Sequence, residues 1–208
     1  MDMGNSILNE VKQIRIHSTA IVQTPLENIG ERTMIWQHVV IQDDVRIGND
    51  CKIGANSFIE KNVSIGNQVT IKNNVAIYTG VIIEDEAFVG PSSVFTNVIN
   101  PRSFISRKSE FRPTLVKRGA TVGANATIIC GHTIGRYAMV GAGSVVTKDV
   151  PDYALVYGNP AKIRGYVCKC GYTLKAGETF YCDNCGCRYN FEKGNLVVDD
   201  EKGQDNHY

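Results

Sequence analysis

An apolar residue stands at every sixth position from Ile29 to Phe95, and that spacing constrains the fold more than anything else in the chain. The series is Ile29, Ile35, Ile41, Ile47, Ile53, Ile59, Ile65, Ile71, Ile77, Ile83, Val89 and Phe95. Four residues after each comes a small or β-branched side chain, from Thr33, Val39, Val45 and Cys51 onward to Ser93. A period held this long is an internal repeat, and a repeat decides the architecture. It is not helical, because at about 100° per residue positions six apart form no single stripe. The Ile and Val content favours strand, in which i and i+4 share a face. Glycine recurs at i+1 (Gly30, Gly48, Gly54, Gly66, Gly90), as expected where a chain turns a corner. Each hexad is then one short strand plus a bend, and a chain that bends this often closes and stacks on itself. A sandwich of ordinary strands would show turn clusters at roughly 8–12-residue spacing instead.

The repeat texture begins near Ile16, after a lead-in of residues 1–15, and extends to about residue 165. The step from Val22 to Ile29 is seven residues and contains Pro25, so the first coil is irregular, as terminal repeats tend to be. After Asn97 the register breaks. Residues 98–115 carry Arg102, Arg107, Lys108 and Arg112 against Glu110. A long loop inserted into a compact fold is usually functional or disordered, and this one suits an anionic ligand. The ladder resumes at Val116, Val122, Ile128, Ile134, Val140 and Val146. Gly123, Gly135, Gly141 and Gly143 supply tight corners and exposed backbone N–H groups there.

This pattern resembles the left-handed parallel β-helix of hexapeptide-repeat acyltransferases. The resemblance implies an all-β fold with three hexads, about 18 residues, in each triangular coil. It also implies the left hand, which the usual right-handed crossover preference would not predict, and a homotrimer with active sites between subunits. Stacked at that period, the i+1 corners form three vertical edges. The first holds Gly30, Gly48, Gly66 and Glu84, and the second Trp36, Gly54, Lys72 and Gly90. The third holds Gln42, Glu60, Tyr78 and Thr96, followed one residue on by Asp43, Lys61, Thr79 and Asn97. Two edges read as mainly structural. The third reads as the wall of a site, although solvent-facing corners are polar in any case.

The strings GAGSVVTKDVP and GNPAKIRG resemble the C-terminal signature of the family members that bind coenzyme A. Carried over by position, Gly141 and Ala142 would meet the pantetheine of acetyl-CoA, the co-substrate, and Gly123 would belong to the same cofactor site. Lys148, Lys162 and Arg164 would meet its phosphates, and Asn159, Pro160 and Ala161 would border the adenine. The wider stretch from VFTN through NPRSF to the GNPAKI string resembles N-acetyltransferases of nucleotide-linked 3-amino sugars. Within these it is nearest to the group acting on UDP-2-acetamido-3-amino-2,3-dideoxy-glucuronate, a precursor of lipopolysaccharide O-antigen. The resemblance implies direct transfer of acetyl to the sugar 3-amine. It makes Asn97 the residue that orients that amine, with His132 as a rival general base. Glu60, Lys61, Tyr78, Thr79 and Thr96, with Arg102 and Arg107 from the loop, would bind the UDP-sugar. Three other readings stay open. One is another acceptor, such as a dTDP-3-amino-6-deoxyhexose or a serine-like amine. Another is a non-catalytic scaffold. The last is a metal-dependent hydratase of the γ-carbonic-anhydrase type, which needs three converging histidines where the repeat body offers only His17, His38 and His132.

Residues 166–191 form a separate module. Cys168 and Cys170, then Cys182 and Cys185, are close pairs each followed by glycine, the pattern of a zinc ribbon. A core of about 25 residues cannot hold itself by burial, so structural zinc would supply the folding energy. Those four cysteines are the expected ligands, with Cys187 as a spare. Cys51 and Cys130 read as small core residues. Residues 192–208 carry five acids against two lysines and read as a mobile acidic tail. Asp183, Glu178 and that tail speak against nucleic acid. The whole chain balances 22 basic against 21 acidic side chains, so no global field draws in nucleic acid or membrane. Neither a membrane-spanning run nor a leader is present in the sequence, which together with metal-type cysteine spacing suggests a cytoplasmic protein.

Overall fold

A computed structural model describes residues 13–177, 179–192 and 194–199. The expected lead-in and tail therefore fall largely outside the described residues. Short strands, most of two residues, stack into three sheets of nine, seven and five strands, parallel throughout except for the last strand of the nine. Met34, Lys52, Thr70 and Phe88 are successive neighbours in the nine-stranded sheet, so one coil is 18 residues. The seven-stranded sheet repeats Val40, Phe58, Ala76 and Val94 at the same interval. Two departures match the sequence. Arg15 pairs with Met34, a 19-residue step across the irregular first coil. Phe88 pairs with Thr121, a 33-residue step that contains the inserted loop.

The ladder side chains fill the interior. None of the ten isoleucines exceeds 3% exposure, and Phe95 plugs the coil where the loop leaves. The i+4 residues line the same core, including Cys51 at 0% and Ser57 at 1%. Inward hydroxyls find backbone acceptors: Thr33 Oγ1 donates to Gly48 O at 2.9 Å and Ser57 Oγ to Lys72 O at 3.1 Å.

The corners turn for a different reason from the expected one. The left-handed residue lies at i+3 of each hexad, not at i+1: Arg32, His38, Asp44, Asp50, Asn56, Asn62, Gln68 and Asn74 all have φ between 56° and 60°. Asn and Asp, which tolerate this region best, hold five of those eight places. Glycine at i+1 answers to close approach instead. A Cβ on Gly48 would lie 2.7 Å from the backbone of Gly66 one coil on, and one on Gly54 would lie 2.6 Å from that of Lys72.

At the C-terminal end the nine-stranded sheet closes with Ala154–Tyr157, against which Lys162–Tyr166 runs antiparallel. The chain then enters a three-stranded antiparallel module, Phe180–Tyr181, Arg188–Glu192 and Asn195–Val198. The last strand lies inside the segment expected to be a mobile tail, so ordered sheet reaches at least to Val198. Its Leu196 is 2% exposed, which explains why a segment of acidic composition still packs. Aromatic rings join module to solenoid. Tyr153 stacks on Tyr137 at 5.5 Å and meets Tyr189 edge-on at 5.2 Å, while Tyr166, Phe180 and Phe191 pack edge-to-face as a three-ring cluster.

Candidate active site

The third edge is bound into the backbone of the coils it borders. Gln42 Oε1 accepts the Lys61 N–H at 3.2 Å, Glu60 Oε2 accepts the Thr79 N–H at 2.8 Å, and Thr96 Oγ1 accepts the Cys130 N–H at 2.9 Å. Thr79 Oγ1 in turn donates to Lys61 O at 3.0 Å. Corner N–H groups lack a sheet partner, so a side-chain acceptor one coil below satisfies them. The first edge does the same in the opposite sense, with Asn49, Asn67 and Asp85 accepting from the coil before them. Polarity on an edge therefore has a structural source before any ligand is considered. Tyr78 is half-buried and packs near Phe58, with ring centroids 6.4 Å apart.

Asn97 is half-buried where the inserted loop departs. Its carbonyl accepts the Arg112 N–H at 3.0 Å, and the Gly131 N–H donates to Pro113 O at 3.0 Å. These bonds pin both ends of the loop beside one corner. Arg112 packs its aliphatic stem over Gly131, where an added Cβ would lie 3.2 Å from Arg112 Cδ. In the loop, Arg107 pairs with Glu110 at 2.7 Å, and Arg102 Nη1 bonds Pro101 O at 2.9 Å. Both loop arginines assigned to the sugar nucleotide thus have local partners.

His132 stands one residue after Gly131, on top of the inward column Val63–Val81–Thr114. Its side chain is 27% exposed and its Nδ1 lies 3.5 Å from Asp149 Oδ1. That carboxylate also accepts the Thr133 N–H at 2.9 Å. The column would suggest a wholly packed histidine, but the coil above narrows: Ile134 pairs with Val150, a 16-residue step, which leaves the ring partly open. Asp149 had no sequence signal as its partner, because the shortened last coil brings it there.

Above this corner the chain folds back and makes a cleft of about 320 Å³ lined by Thr147, Lys148, Asp149, Pro160, Ala161, Lys162 and Ile163, among others. The Ala161 N–H donates to Val145 O at 2.8 Å and fixes the returning segment on the seven-stranded sheet. Lys148, Pro160, Ala161 and Lys162, assigned separately to coenzyme A, are brought together here. Asn159 is exposed beside them, and neither lysine forms an ion pair among the described residues. Arg164 instead lies over the Tyr157 ring at 5.5 Å. Gly123, Gly141 and Ala142 sit elsewhere, on the second edge. There the N–H groups of Gly123 and Gly141 bond to Val140 O and Val156 O, both at 2.8 Å.

In the C-terminal module the sulfurs of Cys168, Cys170, Cys182 and Cys185 lie within 4.8 Å of one another. Cys168 Sγ is 3.3 Å from Cys185 Sγ, and Cys170 Sγ is 3.5 Å from Cys182 Sγ. Four converging thiols on two turns fit a tetrahedral thiolate site for zinc, where Zn–S is about 2.3 Å. The Tyr189 hydroxyl donates to Cys168 Sγ at 3.0 Å, an orienting bond of the kind that supports metal ligands. Cys187 is buried outside the group. Among the described residues this is the sole cluster of three or more potential metal ligands, and His17, His38 and His132 do not converge.

Comparison with known proteins agrees with this architecture. Residues 28–61 match the bacterial transferase hexapeptide (six repeats) family, and residues 117–148 the hexapeptide repeat of succinyl-transferase. Over 84 residues the chain is 57% identical to a dTDP-3-amino-3,6-dideoxy-alpha-D-galactopyranose 3-N-acetyltransferase of Aneurinibacillus thermoaerophilus, covering 40% of this chain and 44% of that protein. The chain thus spans less than half of that curated relative. Among solved structures, a hexapeptide-repeat containing acetyltransferase from Vibrio cholerae superposes with TM-score 0.51 at 28% identity, covering 58% of this chain and 72% of that one. A Bacillus cereus protein superposes with TM-score 0.52 at 23% identity over 76% of this chain and 81% of its own. No helix among the described residues is long and apolar enough to cross a membrane. The body of this chain is a left-handed-type β-solenoid built on hexapeptide repeats.

Proposed function

We propose that the protein is an acetyl-CoA-dependent N-acetyltransferase whose acceptor is the 3-amine of a nucleotide-linked amino sugar. The observation that carries this reading is the 57% identity, over 84 residues, to an enzyme named for that reaction on a dTDP-amino sugar. Three features of the site support it. The cleft at the end of the third edge offers Lys148 and Lys162, neither of them in an ion pair among the described residues, to a polyphosphate, with Asp149 also on its wall. On the same edge Asn97 lies two coils below Lys148, about 10 Å along the axis, His132 lies one coil below, and Asp149 next to Lys148 reaches down to His132. The glycines assigned to pantetheine lie on a different edge from the cleft. One acetyl-CoA would touch both sets where the second edge of one copy faces the third edge of another, as in a homotrimer with active sites between subunits.

The chemistry asks little of the protein. The neutral amine attacks the thioester carbonyl, the C–N bond forms, and the C–S bond breaks as thiolate leaves; the amine proton passes to solvent or base. A thiol with pKa of about 8.5 leaves readily, so positioning and desolvation dominate. Asn97 accepts a hydrogen bond from the amine and aims its lone pair, but it cannot take the proton. His132, with its Nδ1 3.5 Å from Asp149, is the imidazole on this edge among the described residues and the candidate base, a role generally worth about 10²–10⁴ in rate.

Two acceptors divide the reading. The sequence motifs favour a UDP-2-acetamido-3-amino-2,3-dideoxy-glucuronate, whereas the relative named above acts on a dTDP-3-amino-3,6-dideoxy sugar. Thiol release from acetyl-CoA, read colorimetrically with each sugar nucleotide and with none, tests the function and separates the two. Release above background with neither, together with no thermal shift on adding CoA, would refute the transferase reading.

A further inference from the structure

The second edge, read from sequence as structural, differs from the other two in one respect: it carries no acid. From coil to coil its corners run Trp36–Gln37–His38, Gly54–Ala55–Asn56, Lys72–Asn73–Asn74 and Gly90–Pro91–Ser92. The first edge holds Asp50, Asp85 and Glu86, and the third Asp43, Asp44 and Glu60. Trp36 is 50% exposed, a large aromatic face left in water. An open cleft beside it is lined by Gln37, Lys52, Gly54, Thr70, Lys72 and Asn73. A second depression on its other side is lined by Arg15, His17 and Met34. Lys52, Lys72 and Arg15 form no ion pair among the described residues. Directly above the indole Gly54 presents no side chain, because a Cβ there would collide with Lys72 and Asn73. A shelf therefore separates the Trp36 corner from the Lys72 corner, two coils or about 10 Å along the axis.

We propose that Trp36, Lys52 and Lys72 form a nucleoside-diphosphate subsite. The base stacks on the indole, and the pyrophosphate rises along the glycine shelf toward the lysines. Aromatic platforms next to cations suit such a ligand, because every base has a π-face and the phosphates need charge. The polarity of the site follows. With the base on the Trp36 coil, a group attached to the second phosphate points toward the coil of Gly90, which is also the coil of Asn97. Asn97 lies on another edge, so a second copy would bring it to the sugar. This part rests on the proposed transferase function; the subsite itself does not.

Trp36 is the only tryptophan in the chain, so its fluorescence reports on this site alone. Titration of the native protein with dTDP, UDP, CoA and inorganic pyrophosphate tests the assignment and distinguishes a sugar nucleotide from the nucleotide of CoA. Saturable quenching by dTDP or UDP, with at most a weak response to pyrophosphate and CoA, is expected. Absence of saturable quenching by either nucleotide, or equal quenching by CoA, overturns the subsite. By calorimetry, Trp36→Ala and Lys72→Ala should weaken nucleotide binding about 5- to 100-fold, while Trp36→Phe retains most of it and controls for folding. Quenching without acetyl transfer to any amino-sugar nucleotide upholds the subsite and removes the transfer. Transfer whose acceptor KM is unmoved by Trp36→Ala removes the subsite and keeps the transfer.

Discussion

Thr114→Val should make the protein more stable, which is unusual for a change in a packed core. Thr114 is 0% exposed, and its Oγ1 has no hydrogen-bond partner among the described residues. It sits in the inward column between Val81 and His132, where its nearest lower neighbours in register are valines. A buried hydroxyl without a partner costs about 1–3 kcal/mol, and an isosteric apolar replacement recovers that cost. For a chain of this size 1 kcal/mol corresponds to about 2–4 °C in Tm, so a rise of roughly 2–12 °C is expected. Thr33→Val is the matched control. Thr33 is equally buried, but its Oγ1 donates to Gly48 O at 2.9 Å and accepts the Cys51 N–H at 3.1 Å. The same substitution there strands two buried groups and should lower Tm by a similar amount. Thermal or urea unfolding of the two variants beside the native protein measures both. A Tm for Thr114→Val at or below the native value would mean that the hydroxyl has a partner, and the reasoning would fail.

Three further outcomes follow from the site and the module. Asn97→Ala should lower kcat with acetyl-CoA and the amino sugar by about 10-fold or more, with an unchanged melting curve; near-native turnover would remove Asn97 from the reaction. Cys182→Ser, or chelation, should abolish bound zinc and unfold the C-terminal module while the solenoid's far-UV signal persists, because that module has too small a core to hold itself. Metal analysis and limited proteolysis read both. Burial pushes the Cys51 thiol from 9.0 up to about 11. The proton is held more tightly in the folded state, so this contribution to stability is whole below pH 9 and declines as pH rises towards 11. Only about one part in a thousand is thiolate at pH 8, so Cys51 should alkylate only after denaturation.

The fold was legible because its signal is redundant. Each hexad repeats the same apolar choice, so the six-residue period follows from counting; the 18-residue coil came from the family resemblance, and the stacked pairs Met34–Lys52 and Phe58–Ala76 bear it out. Corner chemistry was only half legible. Glycine at i+1 was visible, but the left-handed residue is a scattered set of Asn, Asp, Gln, Arg and His that no composition rule isolates. The polar third edge was visible too, yet which side chains cap backbone N–H groups depends on a neighbour 18 or 19 residues away. The His132–Asp149 contact was hidden by the shortened coil between Ile134 and Val150. Trp36 lay on an edge that reads as structural, whereas Gly54, one coil on, is what leaves its ring bare.

A parallel coil has no natural end, since its last rung offers the same unpaired edge as every rung before it. Here Lys162–Tyr166 lies antiparallel to Ala154–Tyr157, and the Ala161 N–H covers Val145 O. A strand laid in the opposite direction cannot template another coil of the same sequence, and the cysteine module stands beyond it. The reversal that forms one wall of the cleft therefore also sets the length of the molecule. It stops one solenoid from continuing into the next, which would lead to a fibre.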